Sequence, residues 1–439
     1  MNLKKYLPKT LLVTLNIGLF LAIVSNYYYL TVNAVNIPVG DEWEALNSTE
    51  FLSNLNWNWI FTQHNEHRIV FTKLHTYMLY QYNHWDVTTQ IAQNYFLYLA
   101  AIFSIWAALY QGPRSWPVIA GPSLFLFSAC SSENFTWGFQ SQFHFAILFS
   151  MLSGILLTAK ILTWRNVLLA SIFSVSAIFS FSAGLPMALS IVATFSLLSA
   201  FKYFYFERSN SVIYKCIFFA SVVTVALAMY FTNGYHAVAE HPKLVLPHDL
   251  RFWEFLFHLV WSAFSIPNRS AVGGFICLCL VLFPVLKLIF RDYLNRKVVA
   301  ENWTLLMALG VFTSALASIA LGRAGFGVGP AYTSRYVEFG APLMAIAAVA
   351  WQRLSPTSIK TRNCLLAAFL VLLAFHRKQF LYSKIYSEIA GSRARGIECL
   401  KSSIERHDLE IVCSDLYPWN MQAKIQNMKS LATSFGRGI

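Results

Sequence analysis

Long apolar runs, separated by short polar breaks, organise this chain more strongly than any alternation or amphipathic stripe. A run of about 20 apolar residues with few charges marks a membrane-crossing helix. Runs over 10–31, 92–110, 116–131, 143–163, 166–183, 186–202, 212–231, 271–290, 302–320, 337–352 and 362–376 read this way. Several are short, so the pattern predicts nine to twelve spans. The aromatic stretch 252–266 carries Glu254 and His258, and reads as an interfacial or re-entrant helix. Between Asn134 and Phe206 there is no Asp or Glu, and only Lys160, Arg165 and Lys202 bear full charges. No water-facing surface can be built from such a stretch. The expected fold class is all-α, a polytopic transmembrane helix bundle over 1–376, followed by a small polar tail over 377–439.

Charge adds an orientation. Only 12% of the 439 residues are charged, about half the share of an ordinary soluble domain, which excludes a soluble enzyme, a disordered chain and a fibre. The net charge of +13 does not signal nucleic acid, because the basic residues sit beside apolar runs. With the N-terminus in the cytoplasm, inner loops hold Lys4, Lys5, Lys9, Arg114, Lys160, Arg165, Lys202, Arg208, Lys215, Arg291, Arg296, Lys297, Arg353, Lys360 and Arg362. Outer loops then receive Asp41, Glu42, Glu44, Glu50, Glu66, Asp86, Glu133, Glu240 and Asp249. His376, Arg377 and Lys378 oppose this bias, so the tail is either exported against them or cytoplasmic; export is the preferred expectation. The first apolar run lacks a small-residue cleavage site and reads as a retained anchor. Cys130, Cys216, Cys277, Cys279 and Cys364 read as packing residues, whereas Cys399 and Cys413 could pair in an exported tail. No internal repeat is visible, which counts against a transporter of duplicated halves.

Chemistry concentrates in the outer loops. The longest of them, 32–91, opens with IPVGDEWEAL, placing Asp41 and Glu42 about ten residues past the first span. It continues through His64, Glu66, His67, Arg68, Lys73 and His75. On a helix, His64, His67, Arg68 and His75 would share one side. Such a cluster suits an anionic group countered by Arg and His beside a carboxylate base; it equally suits a solvated amphipathic helix. The spacing matches no specific metal-ligand set, so a divalent metal is possible but not indicated. In the second outer loop, Glu133, Trp137, Gln140, Gln142 and His144 form a mix of aromatic faces and amides that suits a sugar ring, or simply caps two helices. In LGRAGFGVGPAYTSRYVEFGAP, Arg323 and Arg335 stand at the membrane boundary with Tyr336, where a guanidinium can grip phosphate. Arg269 is a weaker third candidate, and His236, His241 and His248 read as plain loop residues.

One span followed by a long outer loop opening on Gly40-Asp41-Glu42-Trp43 resembles the GT-C superfamily of integral-membrane glycosyltransferases. Size, span number, the segment near 252–266 and the polar tail look most like the bacterial serotype-converting O-antigen glucosyltransferases. The resemblance implies a polyprenyl-phosphate sugar donor, a cell-envelope glycan or lipid acceptor, and a site on the periplasmic face of the inner membrane. By that resemblance Asp41 is the general base and Glu42 an accessory acid, although an Asp-Asp pair is the commoner motif. Arg68, His67, Arg323 and Arg335 would face the donor phosphate; His64, Glu66, Lys73, Glu133, Trp137, Gln140 and Tyr336 would contact substrate, with no cofactor required. A lipid-linked oligosaccharide flippase or an O-antigen polymerase-type protein is the alternative.

Overall fold

A computed structural model describes residues 9–47, 55–110, 116–232, 234–238, 241–264, 269–355 and 377–434, with 358, 363–365, 367–368 and 371–373 as isolated positions. The helices longer than ten residues are α1 (Lys9–Val32), α2 (Val70–Asn83), α3 (Val87–Leu109), α4 (Trp116–Leu126), α5 (Ser141–Leu157), α6 (Trp164–Ile178) and α7 (Gly184–Lys202). They continue as α8 (Asn210–Thr232), α9 (Leu250–Ala263), α10 (Ala271–Leu294), α11 (Ala300–Arg323), α12 (Pro342–Leu354), α13 (Tyr382–Glu405) and α14 (Gln422–Ser434). No β-strand occurs among the described residues. Seven helices there (α1, α3, α5, α7, α8, α10 and α11) are long and apolar enough to cross a bilayer, and α4 and α6 are shorter apolar helices. The chain is a multi-pass, all-helical integral membrane protein.

The expected spans recur with edges moved by backbone chemistry. The run 116–131 stops as helix at Leu126 and continues as tight turns. The run 337–352 is interrupted at Pro342, which has no N–H for the helical ladder. The expected helix over 362–376 falls mainly outside the described residues. The stretch around 252–266 forms α9, whose N-terminus is capped by Asp249, the residue just ahead of it; that carboxylate accepts the Arg251 N–H at 2.9 Å. At 14 residues α9 is too short to cross. It lies tightly against α10, where any Cβ at Gly274 would fall 1.7 Å from the Phe257 carbonyl oxygen.

Burial separates a centre from a rim. The windows of α5, α3 and α11 are 67%, 56% and 56% buried, whereas those of α1 and α8 are 28% buried and present Phe20, Ile217 and Val225 outward. Outward apolar side chains are stable only where the surroundings are themselves apolar. The core is fastened by polar side chains spent on backbone oxygens: Asn26 donates to Phe127 O at 2.9 Å, and Tyr95 to Ile23 O at 2.9 Å.

The two ends of the bundle differ. At one, Lys160 meets Glu301 at 3.9 Å, Lys215 donates to Leu162 O at 2.8 Å, and Arg296 lies over Tyr205. At the other, the segment after α1 folds into a 3-10 helix (Gly40–Asn47), and α2 leads from it into α3. The tail packs at this second end: Tyr382 donates to Phe127 O at 2.8 Å, and Tyr386 to Asn26. Within the tail, Cys399 and Cys413 are joined, their Cα atoms 5.9 Å apart.

Candidate functional site

The adjacent acids meet opposite fates. In the 3-10 helix Gly40–Asn47, with three residues per turn, neighbouring side chains point about 120° apart. Gly40 opens the helix at φ +54°, and a Cβ there would sit 2.3 Å from the Trp137 ring, so only glycine fits. Glu42 turns inward: Oε2 accepts the Val39 N–H at 2.8 Å and Oε1 the Phe139 N–H at 3.1 Å. Burial raises its carboxyl above the ordinary value, against the pull of these amides and of Arg393. Asp41 turns outward, half-exposed, with His64 Nε2 3.8 Å from Oδ2. Burial would raise its carboxyl, but the His64 ring and the charges of Arg335 and Arg323 together bring it below the usual range. Asp41 is therefore an anion beside three cationic or polarisable groups, and Glu42 is a brace.

Asp41 lines a cavity of about 290 Å³ together with Glu44, Trp59, Thr72, Lys73 and Trp85. That is near the small end of ligand pockets, about 300–1,000 Å³. Lys73 closes one wall, its Nζ donating to Trp59 O at 2.8 Å and Thr62 O at 2.6 Å and lying over the Trp59 ring. Glu66 is the hub of an ionic cluster that includes Arg323, one of the charges acting on Asp41. Its carboxylate binds His241 Nδ1, stands 3.5 Å from Arg323 and lies 3.8 Å from His67. His67 packs on Phe181, and burial, then the charges of Arg323 and its neighbours, holds its ring well below the ordinary value and so neutral. Arg335 lies over Tyr336, with Glu133 4.0 Å from its Nε, and that Nε has no hydrogen-bond partner among the described residues.

The expected helix through His64–His75 forms only from Val70 onward. His64 and His67 instead exchange backbone hydrogen bonds at 2.7 and 2.8 Å, and Asn65 takes φ +48°, which asparagine tolerates. The turn scatters the cluster. His64 goes to Asp41 and His67 to Phe181, while His75 reaches Gln93 from α2 at 2.7 Å. Arg68 is turned away from Asp41, buried against Tyr230, with Nε donating to Tyr230 O at 2.9 Å and Nη1 to Phe61 O. In the second outer loop, Glu133 reaches Arg335 and Phe139 faces the cavity, but Gln140 is buried against Gln142 and Trp137 packs on Gly40. Arg269 lies over Tyr332, which meets His258 Nδ1 at 2.6 Å.

Three groups escaped sequence reading. His241, which reads as a plain loop residue in the sequence, binds Glu66. Glu338 binds His144 Nδ1 at 2.6 Å and Asn134 Nδ2 at 2.6 Å, all buried; its acid is hidden inside an apolar run, and its partners lie some 200 positions away. Glu44 is met by Tyr417 and Lys424 of the tail. Among the described residues no three His, Cys, Asp or Glu side chains come together in a metal-holding group.

The fold and site define a helical membrane protein with an acid-bearing pocket at one end of its bundle. No family model matches the chain, and no curated protein matches it. Among solved structures it is similar to ArnT from Cupriavidus metallidurans bound to undecaprenyl phosphate, with a TM-score of 0.46 and 11% identity over 94% of this chain and 76% of that chain. Likeness of that degree leaves function to the chain's own residues.

Proposed function

We propose that the protein is a membrane glycosyltransferase that moves a sugar from a polyprenyl-phosphate carrier to a hydroxyl of an envelope glycan or lipid, at the periplasmic face of the inner membrane. One observation carries this reading: Asp41, its carboxyl held below the usual range, lines a pocket with His64, Trp59, Trp85 and Thr72 and feels the charges of Arg335 and Arg323. Aromatic walls and hydroxyls suit a neutral sugar or its acceptor, and guanidinium groups suit phosphate. A substrate whose carrier cannot leave the bilayer calls for an enzyme built into it.

In the reaction so proposed, the acceptor oxygen forms a bond to the anomeric carbon while the carbon–oxygen bond to phosphate breaks. Asp41 takes the acceptor's proton, and the polyprenyl phosphate departs with the bonding electrons. Arg335 is the better placed cation to meet that charge, because its Nε lacks a hydrogen-bond partner among the described residues and stands 4.0 Å from Glu133, whereas Glu66 holds Arg323 at 3.5 Å. His64 holds the Asp41 carboxylate in place. Glu42, its oxygens spent on backbone amides, takes no proton from the acceptor. The resemblance to GT-C enzymes seen at the acidic motif agrees with this assignment.

The test is sugar transfer from a synthetic polyprenyl-phosphate sugar in membranes carrying the protein. Asp41→Asn should lower the rate by at least about 10²-fold, the usual worth of a general base, with unfolding temperature unchanged. Transfer at the unaltered rate would remove Asp41 from this role.

A further inference from the structure

The chain's last segment reaches back to the acidic 3-10 helix at four points. Leu416 O accepts the Gly40 N–H at 2.7 Å, at the residue where the helix begins. Tyr417 donates to Glu44 Oε1, and Lys424 Nζ stands 3.5 Å from the same oxygen. Asn427 Nδ2 donates to Leu46 O at 2.7 Å, at the helix's far end. Lys424 also lies over the Tyr417 ring, so the two side chains form one unit. The segment has its own anchorage. The Cys399–Cys413 bond ties it to α13, and Arg393 of α13 donates to Thr136 O, beside Trp137 and the Gly40 turn. A short 3-10 helix has poor hydrogen-bond geometry and little stability by itself. Here both of its ends and its middle are held by residues more than 370 positions later in sequence.

We propose that residues 411–427 are a positioning clamp for the acidic helix, with Tyr417 and Lys424 acting through Glu44 to keep Asp41 facing His64 and the cavity. Neither side chain is placed at the reacting atoms, so both are positioning residues. Their consequence for turnover rests on the glycosyltransferase reading; the clamp itself does not.

Hydrogen exchange followed by mass spectrometry on the full chain in nanodiscs separates the two. In Tyr417→Phe/Lys424→Gln, amides of residues 40–46 should exchange at least tenfold faster than in the unaltered protein, while α5 and α11 remain unchanged. Lys424→Arg should stay within twofold of the original. Reducing the Cys399–Cys413 bond with dithiothreitol, which yields two thiols and the reagent's own cyclic disulfide, should also quicken exchange over 40–46. Unchanged exchange over 40–46 in the double variant overturns the clamp, and so does equal loosening of α5 and α11, which would make the tail a general support of the fold. In the transfer assay, the double variant should lose at least tenfold in kcat with KM for the donor within threefold. If the unaltered protein transfers no sugar, the functional reading fails while the exchange result still decides the clamp.

Discussion

Lys73 shows how one residue joins the pocket to stability. Its ammonium is buried, satisfied by two carbonyl oxygens and an aromatic face, with no carboxylate within ion-pair distance among the described residues. Burial, reinforced by the charge of Arg68, brings it from the ordinary 10.5 down to about 7. Between those values the unfolded chain holds a proton that the folded chain has released. Stability therefore rises as pH climbs from about 7 towards 10.5, by up to about 1.4 kcal/mol per pH unit, and this contribution is flat below 7. Unfolding midpoints in detergent at pH 7.5 and 9.5 should show that rise, and Lys73→Met should flatten it; equal slopes would contradict the assignment. Residue by residue, the sequence made Asp41 and Lys73 visible because both are charges in a charge-poor chain. It could not separate the roles of Asp41 and Glu42, since that depends on which amides each carboxylate finds, and the amide of Phe139 is 97 positions from Glu42.

At the level of elements, the apolar runs carried most of the information and the outer loop the least. Spans announce themselves because a bilayer demands continuous apolar length, so the helices from α3 to α11 lay near their expected positions. The His64–Arg68 stretch obeys no such demand. Its conformation is set by a tight turn and by partners on distant helices, and this decides the fate of Arg68. That guanidinium stitches the loop to the end of α8 through Tyr230 O and to a short helix, Trp57–Phe61, through Phe61 O. Arg68→Ala leaves the buried Tyr230 carbonyl and the part-buried Phe61 carbonyl without this donor and should lower stability by about 2–4 kcal/mol. The surviving folded fraction should keep its KM for a polyprenyl-phosphate donor. Thermal unfolding alongside donor titration checks both halves; a raised KM with unchanged stability would return Arg68 to the phosphate.

Across the whole molecule, charge and contact agree on two unlike ends. Three helical hairpins, α5–α6, α7–α8 and α10–α11, turn at one end, and their basic turns touch one another through Lys160–Glu301, Lys215–Leu162 and Arg296–Tyr205. The acidic loop, the ionic cluster around Glu66 and the tail gather at the other. If the basic turns are retained in the cytoplasm, as the proposed function requires, Asp41 lies on the far side. The tail shares the side of Asp41, because Leu416 and Gly40 cannot share a hydrogen bond across a bilayer. In that orientation the tail is exported against the bias of Arg377 and Lys378. Fusions to a phosphatase active only after export should therefore be active at the C-terminus and silent after residues 162, 208 and 296. A silent C-terminal fusion beside an active one in the loop before α2 would break the Leu416–Gly40 contact, and with it the assembled pocket on which the proposed sugar transfer depends.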